Sequence, residues 1–92
     1  MYLEIVSPEA TLFAGKVSSV TVPGIHGEFQ MLSDHAPIVS LLQAGKVKID
    51  GSITIEEAHE AKFTKDDDGK TVLEISSGTI EMKENKVIVL AD

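Results

Sequence analysis

The chain reads as an all-β protein, a flattened β-sandwich or barrel of about ten short strands. Three observations carry that reading. Nearly every apolar run alternates at period 2, which on a strand sends successive side chains to opposite faces. Gly, Asp and Asn turn signals separate these runs, the punctuation of short strands in a sandwich or barrel. The one stretch rich in helix formers, Glu56 to Ala61, has no continuing apolar stripe.

Taken in order, Leu3 and Ile5 alternate with Tyr2, Glu4 and Val6, and Ser7-Pro8 ends this first strand. Leu12 to Val22 is longer, with Val20 and Val22 on one parity and Val17 on the other. That change of phase predicts a bulge around Ser18-Ser19, bending one long strand so that it serves two sheets. Phe29 and Met31 alternate in a short strand after Gly27. Ile38 to Leu42 is mostly apolar, the pattern of a strand buried on both faces, at a length where a helical turn reads the same. Gly45 opens Lys46-Val47-Lys48-Ile49, and Asp50-Gly51 is the strongest short hairpin signal, leading into Ser52-Ile53-Thr54-Ile55. Glu56 to Lys65 reads as strand or irregular structure rather than helix. Asp66-Asp67-Asp68-Gly69 is a polar turn before Val72-Leu73-Glu74-Ile75, and Ser77-Gly78 precedes Ile80-Glu81-Met82. Glu84-Asn85 makes the last turn, with Asn85 tolerant of positive φ, and Val87 to Leu90 is the final strand.

The 92 residues form one domain, 1–92, without repeat, linker or low-complexity tract. A chain of this size buries roughly 64% of its unfolded surface on folding, enough for one modest core. The net charge is -7, and the chain holds 8 lysines and no arginine. It lacks the positive field and the bidentate forks of a nucleic-acid binder, and it is poorly suited to lie directly on anionic lipid. No cysteine is present, so there is neither disulfide framework nor thiolate chemistry. No run approaches 18 apolar residues, and the opening MYLEIV has no basic region. The expectation is therefore a cytoplasmic address without membrane insertion, any membrane association running through protein partners.

Gly24 to Leu42, GIHGEFQMLSDHAPIVSLL, concentrates glycines, histidines, acids and a proline between two apolar runs. His26, His35 and His59 lack the ligand spacing of a zinc site, and Asp66 to Asp68 resembles a calcium loop in charge alone. Glu28 with His35, or Asp34 with His35, is the nearest approach to a general base and its orienting group. No nucleophile elbow or glycine-rich phosphate loop accompanies them, so no catalytic, cofactor or metal site is expected. Ser7 reads first as a turn residue beside Pro8, and Pro37 holds Ala36 extended before the next strand. The remaining functional reading is a rigid β module presenting Glu28, Phe29, His35 and Ala36 to another protein, with its acidic surface favouring a basic or polar patch.

A resemblance becomes specific at this point. Leu3-Glu4-Ile5-Val6-Ser7-Pro8-Glu9, Leu12-Phe13-Ala14-Gly15, Gly27-Glu28-Phe29, His35-Ala36-Pro37, Gly45-Lys46-Val47-Lys48-Ile49, Gly78-Thr79-Ile80-Glu81-Met82 and Val87-Ile88-Val89-Leu90-Ala91-Asp92 follow one another in order. Together they resemble the N-terminal β-sandwich domain of the epsilon subunit of F-type ATP synthase, called delta in mitochondria. The resemblance implies a ten-stranded, non-catalytic domain at the foot of the central stalk, which helps couple the gamma subunit to the c-ring. Its partners would be gamma and the c-ring polar loops, at the cytoplasmic face of the bacterial inner membrane. By position, Glu28 matches the residue near the c-ring loops, His35 and Ala36 match the gamma and ring side, and Ser7 matches a further contact. A free-standing β-sandwich binding module unrelated to the rotary complex is the alternative.

The chain also departs from the family pattern. Gln30 stands where a glycine is usual, Ser33-Asp34 where Pro-Gly is usual, and Ser77-Gly78 where Gly-Gly is usual. The stretch between Ile49 and Val72 is longer and acidic, predicting an enlarged hairpin or flap. The C-terminal helical pair of the family is not in this sequence, so the resemblance implies no nucleotide binding and no self-inhibition of that kind.

Overall fold

A computed structural model of residues 1–92 shows ten strands. They are β1 (Tyr2–Val6), β2 (Thr11–Lys16), β3 (Ser19–Gly24), β4 (Gly27–Leu32), β5 (Ile38–Leu42), β6 (Gly45–Asp50), β7 (Phe63–Lys65), β8 (Thr71–Ile75), β9 (Gly78–Lys83) and β10 (Lys86–Ala91). A 3-10 helix, Glu57–Lys62, lies between β6 and β7. The strands pair along one path, β2-β1-β10-β9-β5-β3-β6-β8-β7, with β4 on the free side of β3. At β5–β3 the pairing consists of Gly24↔Leu42 alone. The path folds over there into two layers, β2-β1-β10-β9-β5 and β4-β3-β6-β8-β7. All pairs are antiparallel except β1–β10.

Period-2 alternation decides what fills the space between the layers. Leu3 and Ile5, Val20 and Val22, Val47 and Ile49, Ile80 and Met82, and Val87 and Val89 point inward with essentially no exposure. They join Met31, Leu73 and others in one core cluster of 18 residues. Burying a side chain of this type stabilises by about 1.5–3 kcal/mol relative to leaving it in water. No buried side-chain nitrogen or oxygen lacks a hydrogen-bond partner.

Several sequence expectations are corrected. Leu12 to Val22 is two strands broken at Val17-Ser18, not one strand bent at Ser18-Ser19. The bulge lies earlier: Ile5 pairs with Phe13 and Val6 with Thr11, so Leu12 is the extra residue. It lets the consecutive Leu12 and Phe13 both reach the core. The hairpin expected at Asp50-Gly51 does not form, and Ser52 to Ile55 is not a strand. The free side of β6 is taken by β8, which buries Thr71, Val72, Leu73 and Ile75. Ile53 and Ile55 could offer only two apolar side chains to that position, and they pack half-buried on the margin of the core instead. Of the stretch read as strand or irregular, Glu57–Lys62 is a 3-10 helix with no buried residue, and only Phe63–Lys65 is strand. The polar turn after it forms as expected, with Asp66 Oδ1 accepting the Asp68 and Lys70 amides at 3.0 and 2.9 Å.

The strand registers define two poles. Tyr2, Leu32, Ile38, Asp50, Lys83 and Lys86 end their strands at one pole, together with His35. Val6, Gly24, Gly27, Leu42, Ile75 and Ala91 end theirs at the other, together with Ser7.

Candidate functional site

The segment Gly24 to Leu42 forms one margin of the sandwich. It comprises the Ile25-His26 turn, strand β4, the loop Ser33 to Pro37, and strand β5. β4 pairs along its length with β3 only. β5 pairs along its length with β9 only, apart from the single bridge at Leu42. Both are edge strands, which carry backbone donors and acceptors that no neighbour uses.

β5 is not buried on both faces. Ile38, Ser40 and Leu42 turn inward, while Val39 and Leu41 turn out and are 73% and 59% exposed. Side chains opposite one another across a sheet share a face, so the registers place Leu41, Thr79, Leu90 and Val6 in one outward row. The next row holds Val39, Glu81, Ile88 and Glu4, and the row at the His35 pole holds Lys83, Lys86, Tyr2 and Lys16. The outer face of this layer therefore grades from apolar at the Ser7 pole to basic at the His35 pole. Three of the chain's 8 lysines stand in the basic row, although the whole molecule is acidic. Lys86 there lies 5.7 Å from the Tyr2 ring centroid and 3.9 Å from Glu4 Oε1.

The candidate contact residues are not brought into one cluster. Glu28 and Phe29 are neighbours on β4 at the Ser7 pole. Glu28 is exposed, and its carboxylate lies 3.4 Å from Lys48 Nζ on β6. Phe29 is half-buried, with its ring packed on Gly24: a Cβ at Gly24 would lie 2.7 Å from Phe29 Cε1. Much of the Phe29 side chain therefore serves the fold. Ser7 closes the β1–β2 connection. Its amide donates to the Ala10 carbonyl at 2.8 Å, and its hydroxyl donates to the same oxygen at 3.2 Å. The bland turn reading of Ser7 is satisfied locally, and its exposed side remains available.

His35 and Ala36 stand exposed at the far pole. Six residues of β4 at about 3.3 Å each separate the Glu28 turn from this loop, so Glu28 cannot orient the His35 imidazole. The Leu32 to His35 turn is closed by the His35 amide on the Leu32 carbonyl at 3.2 Å. Asp34 adopts φ 63°. Asp is among the residues that tolerate the left-handed region, so the geometry that glycine commonly supplies persists here with another residue. Gln30, in contrast, sits in regular β4 opposite Thr21 and needs no special φ. The Asp34 amide donates to Asn85 Oδ1 at 2.9 Å, tying the loop to the β9–β10 turn. His35 Nδ1 lies 2.7 Å from the Ala36 carbonyl oxygen.

The outward strip of β5 joins these places. Leu41 and Ile25 line a groove of about 690 Å³ with Val6, Ser7, Pro8 and Leu90. A smaller concavity at the β3–β4 turn takes in Ile25, Glu28, Phe29 and Ser40. The exposed edge thus runs from His35 along Val39 and Leu41 to Ile25, then divides toward Ser7 and toward Glu28. The sequence reading missed Val39, Leu41, Ile25, Leu90 and Asn85. Its one available signal was that Ile38 to Leu42 is apolar on both parities, which fits two buried faces or one buried and one sticky face equally well.

His26 and His35 lie at opposite poles, and no three His, Cys, Asp or Glu side chains converge as metal ligands. No helix is long and apolar enough to cross a membrane. What the arrangement offers is an extended, open contact surface of mixed character on an all-β sandwich.

The fold is a small all-β sandwich with an exposed, partly apolar edge, and comparison identifies its kind. Residues 1–58 match the family model described as ATP synthase, Delta/Epsilon chain, beta-sandwich domain. The ATP synthase epsilon chain of Campylobacter concisus is 41% identical over 92 residues, covering all of this chain and 60% of that one. The ATP synthase epsilon chain of Chlorobaculum tepidum is 33% identical over 90 residues, covering 98% of this chain and 86% of that one. The chain belongs to the beta-sandwich domain family of ATP synthase delta/epsilon chains. It spans about 60% of the length of the Campylobacter relatives. The fold is also that of a chain in the Tetrahymena thermophila mitochondrial ATP synthase central stalk/c-ring structure, with TM-score 0.71 at 13% identity, covering 98% of this chain and 61% of that one. A chain of the Euglena gracilis mitochondrial ATP synthase gives TM-score 0.72 at 18% identity, covering 97% and 48%.

Proposed function

We propose that this domain is a non-catalytic coupling element of the F-type ATP synthase central stalk, fastening the gamma subunit to the c-ring during ATP synthesis. Family membership supplies the setting. The observation that carries the proposal is the outward pair Val39 and Leu41, on an edge strand continuous with the His35 loop. Two large apolar side chains at this exposure, beside unused backbone groups, suit a surface that another protein covers. Gamma is assigned to the β5 strip, with His35 and Ala36 at one end and Ser7 at the other. Glu28, with the exposed part of Phe29, is assigned to the polar loops of the c-ring. The domain acts peripherally at the cytoplasmic face of the bacterial inner membrane, through the complex, and uses no nucleotide, cofactor or metal in this role.

Mechanical coupling needs a body that does not deform under load and contacts that act in parallel. A two-layer sandwich with a single core meets the first need. The separated contacts at the two poles meet the second, because force applied at Glu28 reaches His35 through paired strands rather than through a linker. The large groove is open to solvent, unlike the closed pockets that bury most of a small ligand, so the free-standing ligand-binding alternative gains no support from it. Co-purification with the intact membrane complex tests the role. His35→Ala and Glu28→Gln should weaken proton-coupled ATP synthesis while leaving the melting temperature of the isolated domain within a few degrees. Normal coupling in both variants, with the chain present in the complex, would remove the assignment.

A further inference from the structure

We propose that Asn85 is a positioning residue that sets the conformation of the His35 contact loop from across the fold. The inference rests on the reading of Ser33 to Ala36 as a contact loop and adds to it a residue in no contact role of its own. Glu84 and Asn85 both have positive φ, 52° and 61°, and stand between the paired Lys83 and Lys86. That is the two-residue turn whose twist matches its flanking strands. The Asn85 carbonyl accepts the Tyr2 amide at 3.1 Å, which anchors the turn to β1. Its side-chain Oδ1 is then free to accept the Asp34 amide, 51 residues away in sequence.

The receiving side explains why this bond has a consequence. Asp34 is held at φ 63°, a region an L-residue other than glycine occupies at a cost unless local bonds favour it. Within the turn, the hydrogen bond from the His35 amide to Leu32 is the only backbone closure. The Asn85 bond is the one side-chain hydrogen bond between this loop and a distant segment. It fixes the Asp34 peptide, and through it the direction in which His35 and Ala36 leave the sandwich. Asparagine suits both tasks at once, since it tolerates the left-handed backbone and carries the acceptor.

Three variants of the full chain separate this role from a structural one. Asn85→Gly keeps the left-handed turn and removes the acceptor, Asn85→Asp keeps both, and His35→Ala removes a contact without touching the tie. For Asn85→Gly we expect amide exchange at Asp34 to quicken by about tenfold, as for a locally opened bond. Its affinity for gamma should fall by about three- to tenfold, because the loop must be ordered on binding, with little change in melting temperature. Asn85→Asp should restore both readouts. Wild-type gamma affinity in Asn85→Gly, alongside weakened binding by His35→Ala, would overturn the positioning role and leave the contact reading standing. Wild-type affinity in His35→Ala would overturn the contact reading and the positioning role with it. Equal loss in Asn85→Gly and Asn85→Asp would also overturn the role, since the acceptor would then be irrelevant.

Discussion

Gly78 lies on the inner face between Leu42 and Ala91, and a Cβ there would run into the Leu90 carbonyl oxygen. Backbone cannot step aside as a flexible side chain can. We expect Gly78→Ala to destabilise the domain by about 1–3 kcal/mol, read as a lowered urea midpoint. Its neighbour Ser77 has a different reason to be present. Its hydroxyl donates to Asp92 Oδ2 at 2.9 Å, and Ser76 donates to the Asp92 carbonyl at 3.2 Å. A glycine at position 77 would lack that bond. Glu84 shows the opposite balance, a left-handed residue whose side chain gives no evident compensation. Glu84→Asn should stabilise the domain by about 0.5–1 kcal/mol, and an unchanged or lower melting temperature would count against the strain argument.

At the scale of elements, β5 and β9 lie side by side and differ in what they owe the fold. Ile80 is fully buried, so Ile80→Ala should cost about 2–5 kcal/mol in a denaturant titration. Val39 and Leu41 face outward on an edge, where lysine is well tolerated. Val39→Lys with Leu41→Lys should therefore shift stability by no more than about 0.5 kcal/mol each. Most strands were legible from alternation and turn residues because one buried face imposes that pattern. Two features were not. An apolar run records that both faces avoid water, but not whether the outer one is covered by this chain or by another protein, and so β5 was misread. Competition between distant segments is likewise invisible locally, which is why Asp50-Gly51 announced a hairpin that β8 displaced. At the candidate site, Glu28, His35 and Ala36 were legible as exposed residues. The tie at Asn85 was not, because it is a bond spanning 51 residues.

Across the whole molecule, the same margin that leaves one edge of β4 and of β5 free also carries the candidate contacts from one pole to the other. The acidic Asp66 to Asp68 turn lies between β7 and β8 at the other edge of the second layer, and the basic row faces out from the first. Replacement of the exposed Asp67 in that turn thus provides a control for any change made on β5. The central claim is that gamma covers the β5 strip, and a binding titration between purified gamma and the folded chain tests it most directly. The account predicts stoichiometric binding by the wild type and by Asp67→Lys. It predicts a loss of about 30-fold or more in the Val39→Lys, Leu41→Lys double variant, as for an interface hot spot, at nearly unchanged melting temperature. Folded wild-type chain that fails to bind gamma, or a double variant that binds as tightly as Asp67→Lys, would contradict it.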